Sequence, residues 1–300
     1  MIIITGQTAT GKTKLALELA KKYNGELINF DSRQIYKYLD IITGKDKDVL
    51  TMKQWNNVTI WLYDIVSPNQ YFSSFDFVKL AIPIIKDIQD RKKIPILVGG
   101  TYLYLKHLLY GIDDNNPPNF KLREKLNNKS VSYLQKYLIS LNPQIFESLN
   151  HSDQLNPRRL MRRIEIETGP VSPSFPSGFG TQKVASTPPG SLKSRHPFQF
   201  KIIGLKYKDK SKLRQVIEKR VEERLKNGAI DEVKKILEMG YKESDPGLKT
   251  IGYQQIIKYL NKKLIKEKAI EDWINKEVQY AKRQLTFMKK DKNIEWREID

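Results

Sequence analysis

An apolar run, Ile2-Ile3-Ile4, is followed at once by GQTATGKT, residues 6–13. No other stretch restricts the fold as much. The spacing G-x-x-x-x-G-K-[ST] is that of a phosphate-binding loop, in which backbone N–H groups and the start of the next helix converge on an anion. Such a loop needs a buried strand before it and a helix after it. Both are present: MIIIT is continuously apolar, and KTKLALELAKKY puts Leu15, Ala16 and Leu19 on one side of a helix. The candidate phosphate-binding set is Gly6, Gln7, Thr8, Ala9, Thr10, Gly11, Lys12 and Thr13. Lys12 adds a point charge, and the Thr13 hydroxyl is a candidate Mg²⁺ ligand. Most loops of this pattern hold ATP or GTP, so the pattern leaves the ligand open.

Strand and helix then alternate. ELINF reads as a second strand ending at Asp31, and VTIWLYDIV and IPILVGG as two more, with the helix FDFVKLAIPIIKDIQDRKK between them. That order predicts an α/β protein with a doubly wound parallel sheet of the P-loop NTPase-like kind. Pro83 should break or kink its helix. From residue 113 the texture changes. DDNNPPNF is a turn cluster, and KLREKLNN, VSYLQKYLISL, PQIFESL and PRRLMRRIEIE are short helical patterns without strands. They predict a small helical domain, residues 113–200, inserted into a core made of 1–112 and 201–300. KIIGLKY returns to the sheet, and KSKLRQVIEKRVEERLKNG is a long basic helix stopped by Gly228. The C-terminal third should stay helical, through AIDEVKKILEMG and the pattern from Trp273 to Phe287. Residues 168–197, rich in Pro, Ser and Gly, are expected to form a flexible loop without a core.

Charge is the loudest bulk signal: 53 Lys+Arg against 34 Asp+Glu, a formal +19. A lysine-rich proteome would account for part of it. A polyanionic partner accounts for the clustered arginines as well, because phosphate neutralisation with counterion release drives non-specific nucleic-acid binding. With no cysteine, disulfides, thiol catalysis and cysteine-ligated zinc are excluded. No apolar run reaches the roughly 18 residues of a membrane span, and the first residues read as strand and loop rather than signal peptide. A cytoplasmic protein is expected.

In open α/β sheets the carboxyl ends of strands line the ligand crevice. Asp31-Ser32-Arg33-Gln34 and Thr101 occupy such ends. Asp31 is a helix N-cap on one reading, a general base or Mg²⁺ ligand on the other. Asp64, closing WLYDI, is a metal ligand, a water-mediated ligand or a buried end-of-strand group. Arg158 with Arg162 and Arg159 with Arg163 stand one helical turn apart. Like charges so placed repel unless an anion answers them or solvent screens them. Arg220 and Arg224 form a similar pair, with Glu218, Glu222 and Glu223 near enough to bridge them. Lys282-Arg283-Gln284 is a third basic set.

Eight segments occur in order: GQTATGKT, FDSRQIYKYLDI, YDIVSP, VGGTYLYLKHLLYG, NPRRLMRRIEI, IEKRVEERLKNG, KTIGYQQIIKYL and YAKRQLTF. Together they resemble, almost end to end, the tRNA dimethylallyltransferases, in the shorter bacterial form without a zinc finger. The resemblance implies a loop that holds the diphosphate of dimethylallyl diphosphate rather than a nucleoside triphosphate. It implies transfer of the dimethylallyl group to the exocyclic N6 amine of the adenosine 3′ of the anticodon, in tRNAs reading codons that begin with U. Lys12, Thr13 and Mg²⁺ would neutralise the leaving group, with Arg220 reaching it as well. Asp31 would take the amine proton, and Thr101 would hydrogen-bond the flipped adenine. Asp31, Ser32, Arg33, Gln34, Thr101 and Arg123, with the 158–162 stretch (Arg158, Arg159, Leu160, Met161 and Arg162), would contact the tRNA. The helical insert would grip the anticodon stem-loop, and the enzyme would be a monomer.

The chain departs from the family pattern at Gln7 and Thr10, where Pro and Ser are usual, and at residues 42–46, where Ile-Thr-Gly-Lys-Asp replaces Gly-Thr-Ala-Lys-Pro. Gln254 stands where an arginine is common. Three rival readings are a transferase acting on free AMP, a P-loop small-molecule kinase, and a non-catalytic RNA-binding relative. The basic insert argues against the first.

Overall fold

The apolar runs of the sequence become the strands of one sheet. The computed structural model describes residues 1–45, 54–55, 58–111, 118–169 and 198–300. It divides into two units, Met1–Leu109 with Pro197–Asp300, and Tyr110–His196. In the first, β1 (Ile2–Gly6), α1 (Lys12–Tyr23), β2 (Gly25–Asn29), β3 (Gln54–Trp55), β4 (Val58–Trp61), α2 (Ser74–Asp90), β5 (Ile94–Val98) and α3 (Tyr102–Tyr110) come in sequence. The second contains α4 (Phe120–Leu126), α5 (Val131–Leu141), α6 (Pro143–Ser148), α7 (His151–Gln154) and α8 (Pro157–Thr168). The chain then returns to the first unit with β6 (Lys201–Tyr207), α9 (Lys210–Lys226), α10 (Ala229–Glu238), α11 (Tyr253–Leu260), α12 (Lys266–Met288) and β7 (Ile294–Ile299).

Strand order is β3-β4-β2-β5-β1-β6-β7. Among the described residues six strands are parallel, and the two-residue β3 runs antiparallel to β4. β1 lies between β5 and β6, with Ile3 opposite Leu97 on one side and Ile202 on the other. This is the doubly wound P-loop arrangement. It puts the loop after β1 in the middle of the carboxyl edge, with the ends of β2 and β5 beside it. Ala16, Leu17 and Ala20 of α1 close one core with Leu27, Ile60, Ile96 and Val98. A second core joins α9 to α12: Ile217, Val221, Tyr253 and Trp273 pack with Ile35, Leu39 and Ile42.

Three elements differ from the sequence reading. The third strand stops at Trp61 because Leu62 and Asp64 adopt left-handed backbone, φ 67° and 53°. α2 runs unbroken through Pro83, which lies on the exposed face, so its ring and the carbonyl it frees point to solvent. The C-terminal region is helical only to Met288. β7 then pairs with β6, Ile294 opposite Ile202 and Trp296 opposite Gly204. The Pro/Ser/Gly-rich stretch lies, from residue 170 onward, outside the described residues, as do residues 113–117 of the turn cluster and Asp46.

In the second unit every helix starts on a side-chain cap: Asn119, Ser130, Asn142, Asn150 and Asn156 each accept a backbone N–H of the first turn. Such caps are worth about 1 kcal/mol each, which matters for helices this short. Leu126, Leu134, Leu138, Leu160 and Ile164 form the core they enclose. Among the described residues no helix is long and apolar enough to cross a membrane.

One buried ion pair fastens α9 to α12. Arg224 Nη1 donates to Glu277 Oε1 at 2.6 Å, and Trp273 Nε1 donates to the same oxygen at 3.0 Å. Glu277→Ala would leave a guanidinium and an indole N–H without their acceptor. It should cost about 3–5 kcal/mol in urea unfolding, with much of the loss recovered by pairing Arg224→Met with Glu277→Leu.

Candidate active site

Gly6 ends β1 with φ 138°, a conformation few side chains adopt. A Cβ there would also stand 2.2 Å from the Leu205 carbonyl oxygen of β6. Glycine is needed on both counts. The Gln7 N–H donates to that carbonyl, at 3.2 Å, and the Thr10 hydroxyl closes the loop onto the Gln7 carbonyl at 2.8 Å. Ala9 (φ 66°) and Gly11 (φ 73°) carry the chain through two left-handed residues, and the Tyr207 hydroxyl donates to the Ala9 carbonyl. α1 then begins at Lys12 with no side-chain cap and no acidic residue in its first turn. Its first N–H groups and the positive end of its dipole are therefore available to an anion.

Thr8 to Thr13 line a cavity of about 340 Å³ together with Asn29, Asp31, Gln34, Thr43, Gly44 and Arg220. Gly6 and Gln7 are buried behind this lining and shape it. Lys12, half-buried, donates to the Gln7 carbonyl. Burial first, then the charge of Arg220, lowers its pKa to about 7, with Asp31 opposing the shift. Arg220 Nη1 donates to the Thr8 hydroxyl at 2.9 Å. Burial, followed by the charge of Arg224, brings this guanidinium down to about 10. The cavity thus holds two cations that carry their charge at a cost, and a bound polyphosphate would relieve both. Of the glutamates read as bridging partners, Glu218 pairs with Arg214 instead, Glu223 adds a favourable charge near Arg220, and Arg224 takes Glu277.

Asp31, just past β2, is not a helix cap. Its Oδ1 accepts the Arg33 N–H at 2.9 Å, and its own N–H donates to Asn29 Oδ1 at 3.0 Å, so two short turns fix the carboxylate at the cavity. Thr101 Oγ1 accepts the Ser32 N–H at 2.9 Å and lies 3.1 Å from the Ser32 hydroxyl, joining the ends of β2 and β5. Gln34 Nε2 donates to the carbonyls of Thr43 and Gly44, holding the opposite wall. Asp31, Gln34, Lys12, Thr13 and Arg220 therefore share one cavity, with Ser32 and Thr101 tied beside Asp31.

Asp64 sits apart. It accepts from the buried Lys45 at 2.5 Å, and Lys45 also reaches Asp40 at 2.8 Å. The carboxylate read as a possible metal ligand is an ion-pair partner. No group of three His, Cys, Asp or Glu gathers for a metal among the described residues. A divalent metal would fit here in another way: Thr13 lines the cavity, and the remaining ligands would be phosphate oxygens and water. Gln254, in the arginine-like position, donates to the carbonyls of Glu243 and Leu248.

The other expected contact residues belong to the second unit. Arg123 and Arg162 both turn to Glu165, which is 2% exposed: Arg123 Nη2 lies 2.9 Å and Arg162 Nη1 3.2 Å from Oε2. Arg159 pairs with Asp153. The like charges on α8 are thus partly answered from within the protein. Leu160 is fully buried in this unit's core, with Met161 packed against it, while Arg158 is exposed.

Sequence reading missed three residues around the loop: Tyr207, Tyr280 and the inward role of Gln284. Gln284 accepts the Thr8 N–H at 3.2 Å and donates to the Gly100 carbonyl at 2.8 Å. Burial raises Tyr280 to about 12, and nearby Asp31 adds to the shift. A helical count would have found both, since 277, 281, 284 and 288 share the buried stripe of α12 and 280 borders it.

Fold and cavity define a P-loop protein of the parallel α/β class whose pocket brings two cations beside a carboxylate. The IPP transferase family model matches residues 34–291. The tRNA dimethylallyltransferase of Caldanaerobacter subterraneus subsp. tengcongensis is 34% identical over 307 residues, covering 100% of this chain and 92% of the relative. That of Clostridioides difficile is 36% identical over 306 residues, with the same coverage. The crystal structure of the full-length tRNA isopentenylpyrophosphate transferase from Bacillus halodurans superposes with a TM-score of 0.69 at 30% identity, covering 100% of this chain and 90% of that one. A eukaryotic dimethylallyltransferase, solved acting on tRNA, gives a TM-score of 0.75 at 28% identity, covering 99% and 73%. The chain belongs to the tRNA dimethylallyltransferase family.

The lowered pKa of Lys12 has a measurable sign. The protonated form binds an anion, and binding raises its pKa from about 7. Pyrophosphate should therefore bind with proton uptake above pH 7, seen as a dependence of calorimetric enthalpy on the buffer's ionisation. After correction for pyrophosphate's own ionisation, affinity should fall by up to about tenfold per pH unit above 7. Lys12→Ala should remove this component; equal uptake in that variant would exclude Lys12 as its source.

Proposed function

We propose that this chain transfers the dimethylallyl group of dimethylallyl diphosphate to the N6 amine of the adenosine 3′ of the anticodon, in tRNAs reading codons that begin with U. N6-isopentenyladenosine and diphosphate are the products. The observation that carries this reading is the cavity in which Lys12, Arg220 and Asp31 meet, in a member of this family. The phosphate loop, Thr8 to Thr13, holds the diphosphate through its amides and the start of α1. Lys12 and Arg220 take up the charge that builds on the leaving oxygens as the allylic C–O bond breaks. Mg²⁺, when bound, would share this charge, with Thr13 as its protein ligand.

Asp31 is the base. As N6 bonds to the allylic carbon its proton becomes acidic, so a carboxylate held in place is strong enough to take it. Its turn to the Arg33 N–H keeps the carboxylate oriented while the adenine arrives. Thr101 hydrogen-bonds the flipped base, and Ser32, Arg33 and Gln34 meet its neighbours in the anticodon loop. Unstacking the base costs only a few kcal/mol, less in a loop than in a duplex. The helical unit grips the anticodon stem-loop through Arg123, Arg158, Arg159 and Arg162, with Leu160 contributing packing rather than contact. The reaction as proposed is cytoplasmic and uses one chain.

Incubation with Mg²⁺, dimethylallyl diphosphate and undermodified tRNA should add the mass of an isopentenyl group to the tRNA. Gain on AMP instead, or phosphate transfer from ATP, would overturn the assignment. Asp31→Ala should lower turnover by about 10²–10⁴-fold while tRNA affinity stays within a few fold; a retained rate removes Asp31 as base. Arg158→Ala combined with Arg162→Ala should weaken tRNA binding and flatten its salt dependence by about 0.7–0.9 in log–log slope per lost phosphate contact. Unchanged affinity would return both side chains to a structural or solvated role.

A further inference from the structure

Two substrates must meet at one carbon, and the groups that would hold them stand on different segments. The diphosphate side is the loop after β1; the adenine side is Asp31 with Thr101, after β2 and β5. One side chain bonds to both segments. Gln284 of α12, 8% exposed, accepts the Thr8 N–H through Oε1 at 3.2 Å and donates through Nε2 to the Gly100 carbonyl at 2.8 Å. Gly100 directly precedes Thr101. A turn further along α12, Met288 accepts the Thr5 hydroxyl at 3.3 Å, so the same helix face also meets β1.

Residue 100 is shaped around this amide. A Cβ on Gly100 would lie 2.5 Å from Gln284 Nε2 and 3.8 Å from Asp31 Oδ2, with no other heavy atom but Gln284 Cδ, at 3.6 Å, among its three nearest. The glutamine carboxamide offers an acceptor and a donor from one planar end. Glutamate lacks the donor, methionine has no donor and only a weak sulfur acceptor, and asparagine is a methylene short. Tyr280, one turn earlier on α12, adds support, since Gln284 and Thr101 both influence its hydroxyl.

We propose that Gln284 is a positioning residue: its amide ties the phosphate loop to the Gly100–Thr101 segment and thereby sets the distance between the diphosphate and adenine sites. This rests on the transferase reading above. Gln284 touches neither reacting group, and its contribution is to the encounter of the two substrates rather than to the hold on either one. Transfer needs the amine within about 3–3.5 Å of the allylic carbon, and a misplacement of about 1 Å costs on the order of a hundredfold in rate.

The test measures single-turnover transfer with both substrates saturating, together with separate affinities for pyrophosphate and for tRNA, per folded molecule. Gln284→Ala should slow transfer by about ten- to a hundredfold with each affinity within about threefold. Gln284→Glu keeps the acceptor for Thr8 but sets an oxygen against the Gly100 carbonyl, and should be similarly slow. Gly100→Ala displaces the amide without altering α12; it should slow transfer alone and add little in the Gln284→Ala background. The proposal is overturned if Gln284→Ala transfers near the parental rate, if rate and pyrophosphate affinity fall in the same proportion, or if Gly100→Ala and Gln284→Ala add in full. Should Gln284→Ala fail to fold, Gln284→Glu and Gly100→Ala decide by the same criteria. A parental protein that transfers nothing to tRNA would instead refute the transferase reading, so the two failures are distinct.

Discussion

Two positive charges held in a half-buried cavity against one carboxylate set the terms for everything around them. Lys12 and Arg220 each lose proton affinity to burial and to a neighbouring cation, and Asp31 offsets this only in part for Lys12. Such a cluster persists only where the surrounding fold holds it. The restraint begins with Gly6, whose missing side chain lets the loop lie against β6 and bond to the Leu205 carbonyl. It continues through the uncapped start of α1 and through Tyr207 and Gln284, which hold the loop from two sides.

The helices after β6 serve the same end. α9 carries Arg220, and the Arg224–Glu277 pair with Trp273 fixes α9 against α12. Glu232 of α10 accepts the backbone N–H groups of Asp40, Ile41 and Ile42. It thereby holds the turn that brings Thr43 and Gly44 to the cavity wall. α9 therefore contributes Arg220 to the cavity, although none of its residues belongs to the loop motif. The +19 excess, by contrast, is distributed less simply than composition suggests. Glu165 engages Arg123 and Arg162 in the helical unit, and Asp153 engages Arg159. Net charge describes the field of a surface; it does not say which cation is available.

Much of the layout was legible where a local rule governs it. The phosphate loop, the buried strands and the strand-end position of Asp31 follow from spacing and period alone. What escaped was set by contacts between distant segments. Asp64 looks like a metal-binding acid until Lys45 is seen to reach it from nineteen residues away. Glu218 looked like a partner for Arg220 because it is close in sequence, yet it pairs with Arg214, while Arg220 donates to Thr8 and Arg224 to Glu277. IEWREI alternates apolar and charged residues at its start, a strand signal hidden behind a long helix. Pro83 falls on the one face of α2 where a lost hydrogen bond meets water, and periodicity alone does not weigh that.

The bonds that shape the loop join residues very far apart along the polypeptide: Gln7 to Leu205, Ala9 to Tyr207, Thr8 to Gln284. During synthesis the loop leaves the ribosome long before these partners, and Gln284 follows last, 276 residues after Thr8. At roughly 5–20 residues per second, the nascent loop waits on the order of tens of seconds for its supports. Through that interval β1 has only β5 of its two final neighbours, and its other edge stays open to mispairing or to a chaperone. A fold that builds an early-made strand into its centre thus defers competence until Gln284 has emerged to meet Thr8.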